Sequence, residues 1–175
     1  MRSGVDERGV TELMAVIEHT YALARLHDAL LVGLAPPPAD DALDADVRAV
    51  LAEVRACEAA EPDASWAPRL WEALALNPPI LRAIWNKHRV VMAAGTLTPR
   101  QKRVAALGTA MHAAARVLQE PLTRLLEREG VGARERVEIA GVIYYFNCLN
   151  KLTDGMQVES DILAPGAEPA ARREG

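Results

Sequence analysis

Four histidines, two cysteines and three tyrosines hold most of the reactive chemistry available to this chain of 175 residues. His88, His112, Tyr144 and Glu120 are the side chains suited to general acid–base work, with Arg103 available to hold a carboxylate. His88 follows Trp85 and precedes Val91 and Met92 on an apolar helical face. It fits a hydrogen-bonded core or oligomer-contact imidazole as well as a proton carrier. His112 is either a proton carrier or a charge favoured at a helix C-terminus. His27 falls on an apolar stripe and reads as a core or interface imidazole, whereas His19 lies off that stripe and is expected to face solvent.

Tyr144 and Tyr145 are adjacent, so on a helix they point about 100° apart and only one can face a given pocket. Asn147, Asn150, Lys151 and Asp154 form a polar line at helical spacing, fitting a hydrogen-bonding seam better than a catalytic array. Glu120 precedes Pro121 and is placed to complement a helix N-terminus. Cys57 sits on an apolar stripe as a small hydrophobe, with a reactive thiol as the alternative. Cys148 could support only single-thiol chemistry, because no second cysteine is near it in sequence. No spacing suits a metal ligand set, and no glycine-rich phosphate loop or nucleophile elbow occurs, so neither metal nor cofactor is expected.

These residues need helices to position them. Leu13, Val16, Ile17, Leu23, Leu30, Leu31 and Leu34 recur at helical spacing over residues 11–34, until three consecutive prolines break the pattern. A second stripe runs from Leu43 to Cys57. The segment opening at "EPDAS" reads as a short helix carrying Trp66, Leu70, Trp71 and Leu74. Asn77 can cap the next helix, with Pro78 or Pro79 in its first turn and Gly95 suited to its stop. Thr98, Pro99 and Gln101 spell a capping box. A break is expected between Met111 and Glu120, with Pro121 starting a helix that Gly130 ends. The last helix, over residues 133–156, turns Ile139, Val142, Ile143, Phe146, Leu149 and Leu152 toward a core. No alternating strand pattern appears. The fold class is therefore all-α, a bundle of about six to seven helices. Residues 1–10 read as a flexible N-terminus, 11–163 as one helical domain and 164–175 as a disordered tail.

Half the chain is hydrophobic, a quarter is charged and the net charge is −4. The basic residues are scattered among acids, which gives nucleic-acid binding no support. The polar start is unlike a signal segment, and no apolar run approaches the roughly 18 residues of a membrane helix. The expectation is a cytoplasmic protein with reduced cysteines and no membrane partner.

The stretch "LWEALALNPPILRAIWNKHRVVMAAGTLTPRQKRVAAL", followed by "IYYFNCLNKLTDGM", resembles the alkylhydroperoxidase D and carboxymuconolactone decarboxylase superfamily. The resemblance spans residues 66–156. Thiol members of that family carry a C-x-x-C-x-x-x-H motif and a glutamate on the preceding helix. Matching Lys102 and Gly130 to the family pattern puts the two cysteine positions on Ala115 and Leu118. The histidine position then falls on Leu122 and the glutamate position on Arg103. None of these can do dithiol chemistry, so thiol peroxidase activity is not expected.

If the family's pocket persists, Arg103, Ala115, Leu118, Leu122 and Trp85 line it, with one cation at an apolar site suited to a small organic acid. The alternative is that the leucines have filled it. The resemblance therefore implies a divergent alkylhydroperoxidase D-like bundle with one of three roles. The first is a cofactor-independent lyase, isomerase or cyclase. The second is a non-catalytic small-molecule-binding or scaffolding protein, and the third retains residual thiol redox activity. It also implies a homo-oligomer, a dimer or trimer. The apolar residues spread around more than one face of the last helix point the same way.

Overall fold

The computed structural model describes residues 6–30 and 43–156. Among them are seven helices and no strand: α1 (Glu7–Leu30), α2 (Ala45–Ala60), α3 (Pro68–Leu74), α4 (Pro78–Met92), α5 (Pro99–His112), α6 (Arg116–Arg128) and α7 (Ala133–Gly155). The all-α expectation holds. The triple proline and the tail lie outside the described residues, and α1 begins four residues before the apolar pattern does.

Local punctuation sets most boundaries. Asp44 accepts from Val47 N at 2.7 Å and Asn77 from Ile80 N at 3.4 Å, each taking up an orphan amide at a helix start. Thr98 and Gln101 form the reciprocal box, with Gln101 N donating to Thr98 Oγ1 at 3.2 Å and Thr98 N to Gln101 Oε1 at 2.8 Å. Gly130 adopts φ +83° just beyond α6, the left-handed conformation a helix stop favours.

Two of the boundaries that differ from the sequence expectation turn on a proline. Trp66 is not in a helix: residues 61–66 form turns, Trp66 has φ +63°, and α3 starts at Pro68. Pro68 disfavours a helical conformation at Ala67, so the helix cannot extend back through it. Pro121 does not start a helix either. It lies inside α6, whose first turn forms at Arg116 after Ala114 turns the chain at φ +54°. Pro121 stands in the second turn, where its missing N–H forfeits one backbone bond, and α6 continues past it to Arg128.

The core is built on α5, which packs against α1, α6 and α7. Ala106, Leu107 and Ala110 of α5 meet Leu118, Leu122, Leu125 and Leu126 of α6, all buried. Val16 and Leu23 of α1, Val47 to Val54 of α2, Leu70 and Trp71 of α3 and Leu81 and Trp85 of α4 complete it. Gly108 lets α7 approach closely, because a Cβ there would meet Ile143 Cδ1 at 3.1 Å.

A hydrogen-bonded staple joins α1 to the α4–α5 connection. Glu12 accepts from Thr96 N at 2.8 Å and Leu97 N at 3.0 Å, and pairs with the buried Lys102 at 3.1 Å. Lys102 Nζ also donates to Val91 O and Ala93 O, so its charge is fully hydrogen-bonded. Those two backbone donors and then Lys102 hold the Glu12 carboxyl down to about 2. Gly95 ends no helix. It is small because a Cβ there would sit 2.5 Å from a Glu12 oxygen.

The final helix is where expectation and structure diverge most. No residue of α7 is buried. Ile139 and Ile143 are half-buried against α5, whereas Val142, Phe146, Leu149 and Leu152 remain exposed. Its apolar face borders an open groove.

Candidate functional site

That groove, about 1240 Å³, lies between α1, α5 and α7. Leu13 and Ile17 of α1, Val104 and Ala105 of α5, and Ile139 and Val142 of α7 make its apolar walls. One end is polar. His112, the last residue of α5, has Nδ1 2.5 Å from Asn147 Oδ1, and Asn150 stands one turn further along α7. The carbonyl of Asn147 can only accept, so Nδ1 of His112 donates to it. At the other end Arg100 faces Glu135 at 3.6 Å. Of the polar line, Asn147 bonds to α5 through His112, which is exposed at the groove rim, whereas Asn150, Lys151 and Asp154 are exposed along α7.

A different polar cluster is sealed in the core. His19 Nε2 lies 3.1 Å from His88 Nδ1, and both rings are buried. The expectation that His19 faces solvent is overturned. The buried face of α1 runs through Val16, His19, Thr20, Leu23 and Ala24, while Leu13 and Ile17 belong to the groove. Three indoles enclose His88: Trp85 stacks on it at 5.4 Å, and Trp66 and Trp71 meet it edge-on at 4.9 and 5.5 Å. His88 Nε2 reaches the carbonyl of Ala64 at 3.3 Å. A carbonyl only accepts, so His88 is protonated at Nε2 and accepts from His19 Nε2–H. Burial holds both imidazoles far below their usual range, His19 at about 3 and His88 at about 4, so both are neutral at pH 7. Trp66 takes its left-handed backbone to close this cluster. Asp63, also left-handed at φ +69°, ties the same turn to Arg124 and Arg128 of α6. Those two guanidiniums hold the Asp63 carboxyl below its usual range.

The residues expected to form one site are scattered. His88 is in the sealed cluster with Trp85, and His112 is at the groove rim. Tyr144 is 72% exposed on α7, its hydroxyl bonded to Cys148 and so raised in pKa. Glu120 is exposed in the second turn of α6, paired with Arg124 at 2.6 Å, and is not a cap. His27 is half-buried, 3.9 Å from Asp28.

Ala115, Leu118 and Leu122, where the family's thiols and histidine would fall, are buried core residues of α6 and its cap. Arg103 is bound by Glu61 at 2.5 Å and by Glu129. The cation imagined for a ligand is already neutralised. Cys57 is half-buried on α2, its thiol pushed up first by burial, and Cys148 is exposed on α7. Among the described residues no three His, Cys, Asp or Glu side chains gather as a metal-ligand set. None of these helices is long and apolar enough to cross a membrane.

The environment of Arg103 gives an expected result. Arg103→Ala should destabilise the fold by about 1–3 kcal/mol, because it leaves Glu129, one oxygen of which is already buried without a partner, beside Glu61. Urea unfolding measures this. An unchanged midpoint would mean that the two ion pairs contribute nothing.

No protein-family model, no curated protein and no solved structure matches this chain.

Proposed function

We propose that the chain is a non-catalytic small-molecule-binding protein on a helical bundle of the alkylhydroperoxidase D-like type, acting in the cytoplasm. Its ligand lies in the α1–α5–α7 groove. The observation that carries this reading is the groove itself, with apolar walls from three helices and a hydrogen-bonding end at His112, Asn147 and Asn150. Binding sites combine those two features, an apolar body and a few converging polar groups. The amide N–H groups of Asn147 and Asn150 suit an acceptor oxygen, so a carboxylate or phenolate on an apolar body fits best. Dispersal of the expected proton carriers favours binding over turnover.

Calorimetric titration with octanoate and decanoate, against the matching alcohols, tests this. The carboxylates should bind, the longer one more tightly. Asn147→Ala should weaken them about tenfold or more, since a hydrogen bond to a charged group is worth about 1.5–3 kcal/mol. Ala105→Trp, which fills the groove floor, should abolish binding. Equal affinities in parent, Asn147→Ala and Ala105→Trp would sink the reading.

One observation favours an acid–base enzyme instead. Asn147 holds His112 by Nδ1 at the groove end, the arrangement of a base with an orienting partner. Turnover of any bound acid that disappears in His112→Ala, with binding retained, would support that reading.

A further inference from the structure

The groove has two polar ends, and the fold holds them at a set spacing. Helices α5 and α7 run side by side in the same direction, linked by Arg100 and Glu135 at one end and by His112 and Asn147 at the other. On each helix the two links are twelve residues apart, 100 to 112 and 135 to 147, which is about 18 Å of helix. Between them the lining is apolar, with Val104, Ala105 and Gly108 from α5 and Ile139, Val142 and Ile143 from α7. Thr109 donates its hydroxyl proton to Ala105 O at 2.9 Å.

The two ends differ in what they can hold. Asn147 and Asn150 bring amide donors to the His112 end, and no carboxylate of α5 or α7 lines it. Glu18, on the α1 rim, is paired with Lys87. The opposite end is lined by Arg100, Glu135 and Glu138. There Glu135 Oε2 accepts from Gly132 N, and Glu138 pairs with Arg134 at 3.3 Å. Arg100 and Glu135 Oε1 stand 3.6 Å apart, beyond the roughly 2.7–3.2 Å of a hydrogen bond. A donor and an acceptor thus face each other without satisfying one another. A second carboxylate at this end would meet two glutamates, and an ammonium would meet a guanidinium. A hydroxyl suits both, because it accepts from Arg100 and donates to Glu135.

We propose that the ligand of the groove is a long-chain acid with a hydroxyl at its far end, the carboxylate at Asn147 and Asn150 and the hydroxyl between Arg100 and Glu135. This rests on the binding reading of the groove and adds a second recognised group at a fixed distance from the first. With C–C bonds of about 1.5 Å, an extended chain advances about 1.3 Å per carbon, so a span of about 18 Å takes about fourteen carbons. The apolar walls supply attraction for any chain. The paired ends select its length, since a shorter chain leaves its hydroxyl buried against apolar walls with no partner.

Calorimetric titration of the full chain, below micelle-forming concentrations, compares decanoate, tetradecanoate and hexadecanoate with the terminal hydroxy acid of each. The hydroxyl should weaken binding of the decanoate chain. It should tighten binding of the tetradecanoate or hexadecanoate chain about tenfold, as one hydrogen bond to a charged group does. In Arg100→Met the ratio of hydroxy acid to plain acid affinity should fall to about one or below at every length. Tetradecanedioate should bind no more tightly than tetradecanoate, because its far carboxylate faces Glu135 and Glu138. Plain acids that bind through Asn147 but gain nothing from a hydroxyl at any length overturn the proposal and leave the binding reading intact. A gain that survives Arg100→Met, or a diacid tighter than the hydroxy acid, overturns it too. If no acid of any length binds, the binding reading falls and the proposal falls with it.

Discussion

His88→Ala should remove about 3–5 kcal/mol of stability, a large share of the roughly 5–15 kcal/mol that holds a domain of this size together. The imidazole fills the space between Trp66, Trp71, Trp85 and His19, and nothing else in the core can move into it without breaking the indole contacts. Trp71 Nε1 is held by Ser65 O at 3.0 Å and Trp85 Nε1 by Glu53 at 3.1 Å, so neither ring is free to collapse inward. The truncation also strands the buried N–H of His19, which adds about 1–3 kcal/mol. His88→Leu separates the two terms, because it fills most of the space while still stranding His19. It should cost less than His88→Ala. His19→Leu in the same chain should then recover part of the loss, giving a coupling measurable by a double-mutant cycle. If the two leucine substitutions add without interaction, the 3.1 Å contact between the imidazoles contributes nothing.

The local grammar of the chain was legible and its long-range pairing was not. Thr98, Pro99 and Gln101, Asn77 before Pro78, and Gly130 are boundary signals whose physics lies within three or four residues, and each stands where that physics puts it. Trp66 defeats the same reasoning. Its helical spacing to Leu70 is a coincidence of register, and the signal against it was Pro68, two residues on.

His19 is hidden in the sequence for a different reason. The first helix is apolar on two faces, and averaging Leu13 and Ile17 with Val16 and Leu23 tilts the apparent stripe away from it. Reading Val16, Thr20 and Leu23 as one face and Leu13, Ile17 and Tyr21 as another would have exposed both the buried histidine and the groove wall. The groove joins α1 to α7 across most of the chain, and no sequence pattern ties those helices together. His112 and Asn147 are 35 residues apart in the chain, and only the fold brings them within 2.5 Å. Val142 and Leu149 read as core in the sequence because apolar periodicity registers an unwetted face without saying what covers it.

Acid should unfold this protein well before its carboxylates are all protonated. The buried imidazoles take up protons near pH 3 and 4 in the folded chain, against 6.5 for an exposed histidine. Between pH 6.5 and those values the unfolded chain binds more protons than the folded one. Stability is therefore complete above pH 6.5 and is lost as pH falls through the window. Each imidazole removes up to about 1.4 kcal/mol per pH unit. By pH 4.5 the pair together has cost about 5 kcal/mol, enough to bring an ordinary domain to the edge of unfolding.

Below pH 4.5 Glu12 and Asp63, both held low by their partners, add a second loss. Urea midpoints taken every half unit from pH 7.5 to 4.5 should thus slope downward from about 6.5. The His19→Leu, His88→Leu double variant should be flat between pH 6.5 and 5, though less stable than the parent at neutral pH, because it has nothing left in the core to protonate there. A parent as flat as that variant would mean that water or a structural opening reaches His19 and His88, and that the indole cage does not seal them.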